Sequence, residues 1–330
     1  MWSNAFRDPL VVVWDTWVFV QLGGLAVMIL LPGALLLTAN VLTDLRWIKR
    51  LTVVMIVIGT IAIIGYFGHL PVHFLQVRPL FPTWFICLAY GQALFNRRLP
   101  WPVRAMLFVL VGAWFYRVFI EQIRWLSAWL PTVVAMSVIS FLRSRKFFLV
   151  LVVVLVAYIA IHSAVLATDF EAEQTESGET RLRAWAMNWR VTGQHFLFGV
   201  GPAGYAAYYM SYFPSRAMAT HSNYIDIISQ TGVVGLFFFA WLFFEIGRTG
   251  WRLRRRLKGR ADFNEGFSVA ALAGWVGSIV AMALGDWIVP FVYTQTIAGF
   301  DYAVYTWVML GAMLGMYHVT TSRPVTEEAI

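Results

Sequence analysis

The stretch FFLVLVVVLVAYIAIHSAVL, residues 147–166, decides the fold class. It contains no Asp, Glu, Lys or Arg over 20 residues, the length that an α-helix needs to cross the hydrocarbon core of a bilayer. Basic residues precede it at 143–146, and an acidic segment follows it from Asp169. The whole chain has the same bias, since 60% of its residues are hydrophobic and only 13% are charged. We therefore predict an all-α polytopic membrane protein.

Further apolar runs of similar character occur along the chain, and we expect each to form a helix that crosses the bilayer. The sequence thereby predicts about nine transmembrane helices. They lie at 18–39, 52–68, 80–96, 105–121, 125–142, 147–166, 224–246, 267–286 and 299–317.

The basic residues predict the orientation of these helices. The formal net charge is +8, and most of the 25 Lys and Arg residues lie in segments on one side, namely 46–50, 97–104, 143–146, 248–260 and Arg323. The positive-inside rule makes that side cytoplasmic. The segments expected to face outward are then 69–79, 121–124, 167–223 and 287–298. Because topology accounts for the positive charge, we expect no nucleic-acid partner.

This topology divides the chain into N-terminal membrane helices at 1–166, a large periplasmic loop at 167–223, and C-terminal membrane helices with a short cytoplasmic tail at 224–330. The loop is about 55 residues long, and after an acidic stretch it carries arginines, tryptophans, glycines and a histidine. A long polar loop between apolar helices is expected to hold the chemistry of the protein at the membrane surface.

The middle of the loop is predicted to be a short helix that Thr180 caps. Arg181 and Trp185 are four residues apart and share one face of this helix, while Arg183 and Arg190, seven apart, share another. One interpretation is an amphipathic helix on the outer leaflet without a catalytic role. The other is that Arg181 binds a phosphate, for which the planar and permanently charged guanidinium is suited.

The end of the loop contains a glycine-rich turn, FGVGPAGY at 198–205, and then His221. The turn lacks the strand and helix that would make it a dinucleotide-binding motif. Asp226 follows His221 by about one helical turn, within the next predicted span. Since an acid in a membrane span needs a partner, we predict that Asp226 is part of a site or supports His221.

A second cationic group is predicted at the outer end of the fourth span. Arg117, Glu121 and Arg124 are spaced so that they share a helix face. Glu121 can neutralise one arginine within the group. Positive charge is otherwise sparse on this side, so a ligand explains Arg124 better than topology does.

These segments together resemble the O-antigen ligase and polymerase superfamily. The resemblance covers about 120–245 and rests on RLRAW at 181–185, FGVGP at 198–202, HSNY at 221–224 and GVVG at 232–235. Arg124 takes the place of the arginine in the family's Ser-Arg-Gly element, although the surrounding IRW at 123–125 departs from that pattern. The resemblance implies an all-helical membrane glycosyltransferase.

The implied reaction transfers an undecaprenyl-diphosphate-linked oligo- or polysaccharide to an acceptor sugar on the outer face of the inner membrane. The acceptor would be lipid A core for a ligase, or another carrier-linked repeat for a polymerase, and the sequence leaves these two open. Membrane lipid is expected to surround the donor's tail. Neither a cofactor nor a metal ion is expected.

The resemblance also assigns roles to individual residues. Arg181 and His221 are the predicted catalytic residues, with Arg181 and Arg124 holding the diphosphate and His221 orienting or deprotonating the acceptor hydroxyl. The other predicted substrate-binding residues are Arg183, Arg190, Gly199, Gly201, Asn223 and Asp226.

Two other functional classes remain as alternatives. A transporter of lipid-linked sugars would bind the same anionic ligand, and it predicts charged residues at mid-membrane and paired broken helices. A noncatalytic membrane scaffold predicts that Arg181 and His221 tolerate replacement by alanine.

Overall fold

The structure of the chain, a computed structural model, describes residues 17–70, 80–122, 125–163, 179–207 and 219–322. These residues are helical apart from short connections, and no strand occurs among them, which confirms the predicted all-α class. The helices, labelled in chain order, are α1 (Trp17–Val41), α2 (Leu45–Phe67), α3 (Leu80–Phe95), α4 (Trp101–Phe115), α5 (Leu126–Arg143), α6 (Arg145–Ile161), α7 (Glu179–Gln194), α8 (Asn223–Leu257), α9 (Phe263–Leu284), α10 (Val292–Gln295) and α11 (Gly299–Ser322). A π-helical turn, Tyr116–Ile120, continues α4.

Each predicted span falls on one of these helices. Within the described residues, six helices are long and apolar enough to cross a membrane, namely α1, α2, α4 with its π-helical continuation, α5, α8 and α9. Helix α3 is apolar but has only 16 residues. The chain is therefore a multi-pass membrane protein, while the count of nine spans and the outward position of 167–223 stay predictions.

The start of α2 differs from the predicted start of the second span at residue 52. The helix begins at Leu45 because the Asp44 carboxylate accepts hydrogen bonds from the backbone N–H and the Nε of Arg46, both at 2.8 Å. The basic residues at 46–50 consequently lie within the first turns of the helix.

The chain forms two compact units. One comprises Met1–Pro32, Ala167–Phe243 and Ala281–Ala303, and we call it the loop unit because it contains the segment 167–223. The other comprises Gly33–Leu166, Phe244–Val280 and Val304–Ile330, and we call it the helical unit.

Helix α3 forms the centre of the helical unit. All of its residues are buried, as expected for a helix that is apolar on every side. Its few polar groups bond to neighbouring helices: the Trp84 indole donates to Thr306 at 3.0 Å, and the Tyr90 hydroxyl lies 2.9 Å from that of Ser140. Such interhelical bonds satisfy polar groups that would otherwise be buried without a partner.

Basic segments that the sequence predicts on one side of the membrane meet at one end of the helical unit. The Arg97 backbone N–H donates to the Ala261 carbonyl at 2.9 Å, which joins two of the connecting segments. The guanidinium carbons of Arg143 and Arg254 lie 5.9 and 5.7 Å from the centre of the Phe95 ring. This arrangement is compatible with the predicted topology, in which these connections share the cytoplasmic side.

Candidate functional site

A break in helix α8 shapes the loop unit. Gly232 has φ 67° and ψ −171°, which interrupts the helix inside the predicted seventh span. A Cβ atom at this position would lie 2.2 Å from the Leu197 carbonyl oxygen, so both the backbone conformation and the close approach require glycine. The helix is therefore kinked at Gly232 within the span, where the glycine-rich segment packs against it.

At the break, backbone groups of α8 lack their usual helical hydrogen-bond partners. The segment 196–201 bonds to these groups instead. The Val233 N–H donates to the Phe196 carbonyl at 2.9 Å. In the opposite direction, the N–H groups of Val200 and Gly201 donate to the carbonyls of Ser229 and Gln230, at 2.9 and 3.0 Å. The turn is therefore docked against the broken helix.

The predicted glycines of this turn have clear backbone roles. Gly199 and Gly201 have φ 69° and 84°, a conformation that glycine adopts without steric cost. A Cβ on Gly199 would also lie 2.5 Å from the backbone of Gln230. Both glycines thus fix the shape of the turn, and contact of either with a substrate stays a prediction.

Helix α7 confirms the predicted helix in the loop, although it begins at Glu179, so Thr180 lies in its first turn and not before it. Its buried face carries Ala184, Asn188 and Thr192, and the Thr192 hydroxyl lies 3.0 Å from that of Ser229. Asn188 is a polar residue that the sequence analysis missed, and its buried side-chain amide has no hydrogen-bond partner among the described residues.

The tryptophan of the RLRAW motif connects α7 to the segment before His221. The Trp185 indole donates a 2.6 Å hydrogen bond to the carbonyl of Thr220. Arg181 lies one turn earlier on the same helix, but the side chains of Arg181 and Arg183 lie outside the described residues. Arg190 is exposed.

His221 is held in an unusual backbone conformation, with φ 51°. Its side chain is 47% exposed, and its Nδ1 lies 3.9 Å from Oδ1 of Asp286, whose side chain is only 2% exposed. An exposed imidazole is thus placed against a buried carboxylate. The separation exceeds hydrogen-bond length, so the carboxylate acts on the ring through its charge, which favours the protonated imidazole.

Asp286 is held by groups around it. Its Oδ2 accepts a 3.2 Å hydrogen bond from the Phe291 backbone N–H and another bond from the side-chain amide of Gln295. The Gln295 oxygen in turn accepts a 2.7 Å bond from the Tyr302 hydroxyl. Burial raises the pKa of Asp286 above its ordinary value, and the neighbouring His221 opposes that shift.

Asp226 holds the segment that precedes His221 in place through hydrogen bonds. Its Oδ1 accepts hydrogen bonds from the hydroxyls of Tyr205, at 2.6 Å, and Thr220. Its Oδ2 is buried and has no hydrogen-bond partner among the described residues. Burial and the two nearby acids, Asp226 and Asp286, raise the pKa of Tyr205 well above its ordinary value, so the hydroxyl stays protonated and donates.

Asn223 joins the His221 segment to the Asp286 segment. It is fully buried, and its amide nitrogen donates to the Val289 carbonyl at 2.7 Å while its oxygen accepts from the Ile288 N–H at 2.9 Å. These bonds fix the connection after α9 relative to the start of α8. Contact between Asn223 and a substrate, as predicted from the motif, stays untested.

The sequence of this site has a counterpart among known families. A sequence model described as O-antigen ligase matches residues 83–240. Over this region the chain is similar to the O-antigen ligase and polymerase superfamily. The resemblance read from its motifs is therefore confirmed, and the matched region includes α7, the glycine-rich turn and His221. No curated protein sequence matches the chain.

The match to the O-antigen ligase family supports a membrane glycosyltransferase of the ligase or polymerase type that acts on lipid-linked glycans. Asp286 lies beyond the matched region and was missed as a site residue. An isolated acid at the end of an apolar run carries no local motif, and only its position beside a histidine distinguishes it.

The second predicted cationic group lies in the helical unit. Arg117 and Glu121 form the expected ion pair, with Nη1 and Oε2 separated by 3.1 Å, and the Tyr66 hydroxyl donates to Glu121 at 2.7 Å. Neutralisation of one arginine by Glu121 is thereby confirmed. Arg124 lies outside the described residues. Among those that are described, no group of three or more His, Cys, Asp or Glu side chains is placed to hold a metal ion.

Proposed function

We propose that this protein transfers an undecaprenyl-diphosphate-linked glycan to an acceptor sugar on the outer face of the inner membrane, in the manner of an O-antigen ligase. The observation that carries this proposal is the placement of exposed His221 against buried Asp286. The hydrogen bond from Trp185 to Thr220 supports it further, because it ties the helix of Arg181 to the residue before His221. The family supports the class of donor.

His221 is proposed to act on the acceptor. The acceptor oxygen attacks the anomeric carbon of the donor, the bond from that carbon to the diphosphate oxygen breaks, and the acceptor proton passes to the imidazole. Because Nδ1 faces Asp286, the atom available for this proton is Nε2. The Asp286 carboxylate stabilises the imidazolium that forms.

Arginines are proposed to stabilise the leaving group. Negative charge grows on the undecaprenyl diphosphate as the glycosidic bond breaks, so cations fixed beside it lower the energy of the transition state more than that of the ground state. We assign this role to Arg181 and Arg124. Arg183 and Arg190 are the reserve candidates.

The remaining predicted residues are proposed to shape the site through the backbone. Gly199 and Gly201 fix the turn docked on α8, while Asn223 and Asp226 hold the segments on either side of His221. Their substitution is expected to change the geometry of substrate binding.

A transporter is less well supported than an enzyme. Helix α8 is broken, as helices in many transporters are, but the carbonyls of Ser229 and Gln230 at the break accept bonds from Val200 and Gly201. Those carbonyl oxygens are thus engaged by the protein itself and are not held ready for an ion. A polymerase, in contrast, would use the same residues as a ligase and differ in its acceptor.

The experiment is a gel of surface and carrier-linked polysaccharide from a deletion strain that is complemented with wild type, Arg181→Ala or His221→Ala. His318→Ala, at an exposed histidine of α11, is the matched control and should restore the wild-type ladder. Long chains on the carrier with bare lipid A core indicate a ligase. Core capped by a single repeat indicates a polymerase, and an unchanged ladder in the deletion strain contradicts both.

A further inference from the structure

The helical unit contains an apolar groove whose lining includes none of the residues assigned to the reaction. The groove has a volume of about 850 Å³ and is lined by residues of α5, α6, α8 and α9. Aromatic side chains form much of its wall, and several of them are exposed at its mouth. The lining includes Phe141, Phe148, Phe244, Trp251, Trp275 and Arg248.

The wall of the groove presents carbon almost everywhere. The Ser137 hydroxyl donates to the Val133 carbonyl within α5, so it is engaged by its own helix. A Cβ on Gly247 would lie 2.2 Å from the Trp275 ring, so the glycine lets that ring lie against α8 and form part of the wall. Such a surface favours a hydrocarbon chain.

Arg248 is the one charged residue among the described residues that line the groove. Its side chain is 46% exposed, and its Nε and Nη2 both lie 2.8 Å from Oε2 of Glu245. The ion pair orients the guanidinium at the groove. The geometry therefore combines a long apolar surface with one oriented cation, which is the pattern that a lipid with an anionic headgroup requires.

More basic residues surround this end of the helical unit. Arg145 and Lys146 begin α6 next to the groove residue Phe148, and Arg252 and Arg256 follow Trp251 in α8; all four basic side chains are exposed. Clusters of Lys and Arg at the membrane boundary attract anionic lipids. The local charge therefore favours an anionic headgroup over a zwitterionic one.

The single cation in an otherwise apolar lining disfavours a partner helix as the occupant. An apolar helix face offers the Arg248 guanidinium no anion, whereas a phospholipid offers a phosphate beside its hydrocarbon chain. The prenyl carrier of the donor is also disfavoured, because Arg248 follows the predicted span 224–246 whereas His221 precedes it. In the predicted topology these residues lie on opposite membrane faces.

We propose that this groove binds an anionic phospholipid, with an acyl chain against Phe141, Phe244 and Trp275 and the headgroup phosphate at Arg248. The lipid belongs to the leaflet on the basic side of the protein. A bound lipid packs against side chains of four helices at once, and it is therefore expected to stabilise the helical unit.

The test is native mass spectrometry of the full-length protein after delipidation, with phosphatidylglycerol or phosphatidylcholine added back at equal concentration. Wild type is expected to retain phosphatidylglycerol at least five-fold better. Arg248→Gln removes that preference, and Arg46→Gln, at an exposed arginine that is likewise paired with an acid but lies outside the groove lining and its basic surroundings, leaves it unchanged. Glu245→Gln releases the guanidinium from its ion pair and is expected to strengthen binding.

Ser137→Phe fills the groove and is expected to lower the retention of both lipids without loss of the monodisperse peak in size-exclusion chromatography. Equal retention of the two lipids by wild type would overturn the proposal, as would equal effects of Arg248→Gln and Arg46→Gln. Displacement of phosphatidylglycerol by an equal concentration of undecaprenyl phosphate would also overturn it, because the groove would then belong to the prenyl carrier.

Discussion

The Trp185 indole donates a 2.6 Å hydrogen bond to the carbonyl of Thr220, the residue that precedes His221. Arg181 lies one turn before Trp185 in α7, so this single bond joins the arginine motif of the loop to its histidine motif. The two motifs are far apart in sequence. Under the proposed function, this connection lets the loop present both motifs to one substrate.

Replacement of Trp185 by Phe is expected to lower the transfer rate about ten-fold while most of the ring packing is kept. The change removes the indole N–H, so the Thr220 carbonyl loses its hydrogen-bond donor. An unsatisfied buried carbonyl costs about 1–3 kcal/mol of free energy. A transfer assay on purified protein measures the effect. Trp189→Phe is the matched control, because Trp189 is 63% exposed and should be insensitive; equal losses in both variants would contradict the role given to Trp185.

Asp286→Asn is expected to reduce the turnover number by about 10²- to 10⁴-fold with little change in KM, because the amide cannot stabilise the imidazolium of His221. The pH dependence of the rate should change as well, which a purely structural role would not predict. Asp301→Asn, at an exposed acid near the start of α11, serves as the control. A turnover number for Asp286→Asn near the wild-type value would contradict the proposal that Asp286 stabilises the imidazolium of His221.

The raised pKa of Asp286 predicts how stability depends on pH. In the pH range between the unfolded value of about 3.9 and the raised native value, the folded state binds more protons than the unfolded state. The contribution of Asp286 to stability is therefore full at low pH and is lost as pH rises through the native pKa. Thermal unfolding across pH should show this decline in wild type, and the decline should be smaller in Asp286→Asn.

Gly232→Ala is expected to destabilise the protein by about 1–3 kcal/mol or more, because a Cβ would meet the Leu197 carbonyl and the backbone has a positive φ. The measurement is the yield and melting temperature of detergent-solubilised protein. Gly193→Ala provides the contrast, since a Cβ there meets no atom within 4 Å in α7 and should be neutral or stabilising. Similar melting temperatures for the two variants would refute the account of the break.

The sequence allowed prediction of features that are local along the chain. Apolar runs located the helices, and the spacing of Arg117 and Glu121 gave an ion pair that the structure contains. The helix of Arg181 and the family followed in the same way from short motifs.

Features that depend on packing between distant segments could not be predicted. Asp286 approaches His221 only because Asn223 fixes the segment after α9, and no spacing rule relates those positions. The break at Gly232 was also missed, because an isolated glycine in an apolar run is tolerated within a helix. Its cause is the docking of the segment 196–201, which is a tertiary contact.

The most direct test of the central claim is the single-turnover rate of purified His221→Ala with a lipid-linked glycan donor and an acceptor, measured beside donor binding. The account predicts that transfer falls at least about 100-fold, since the acceptor proton loses its base, while donor affinity stays within a factor of about two. A transfer rate within about three-fold of wild type, at unchanged donor binding, would contradict the assignment of His221 as the group that activates the acceptor.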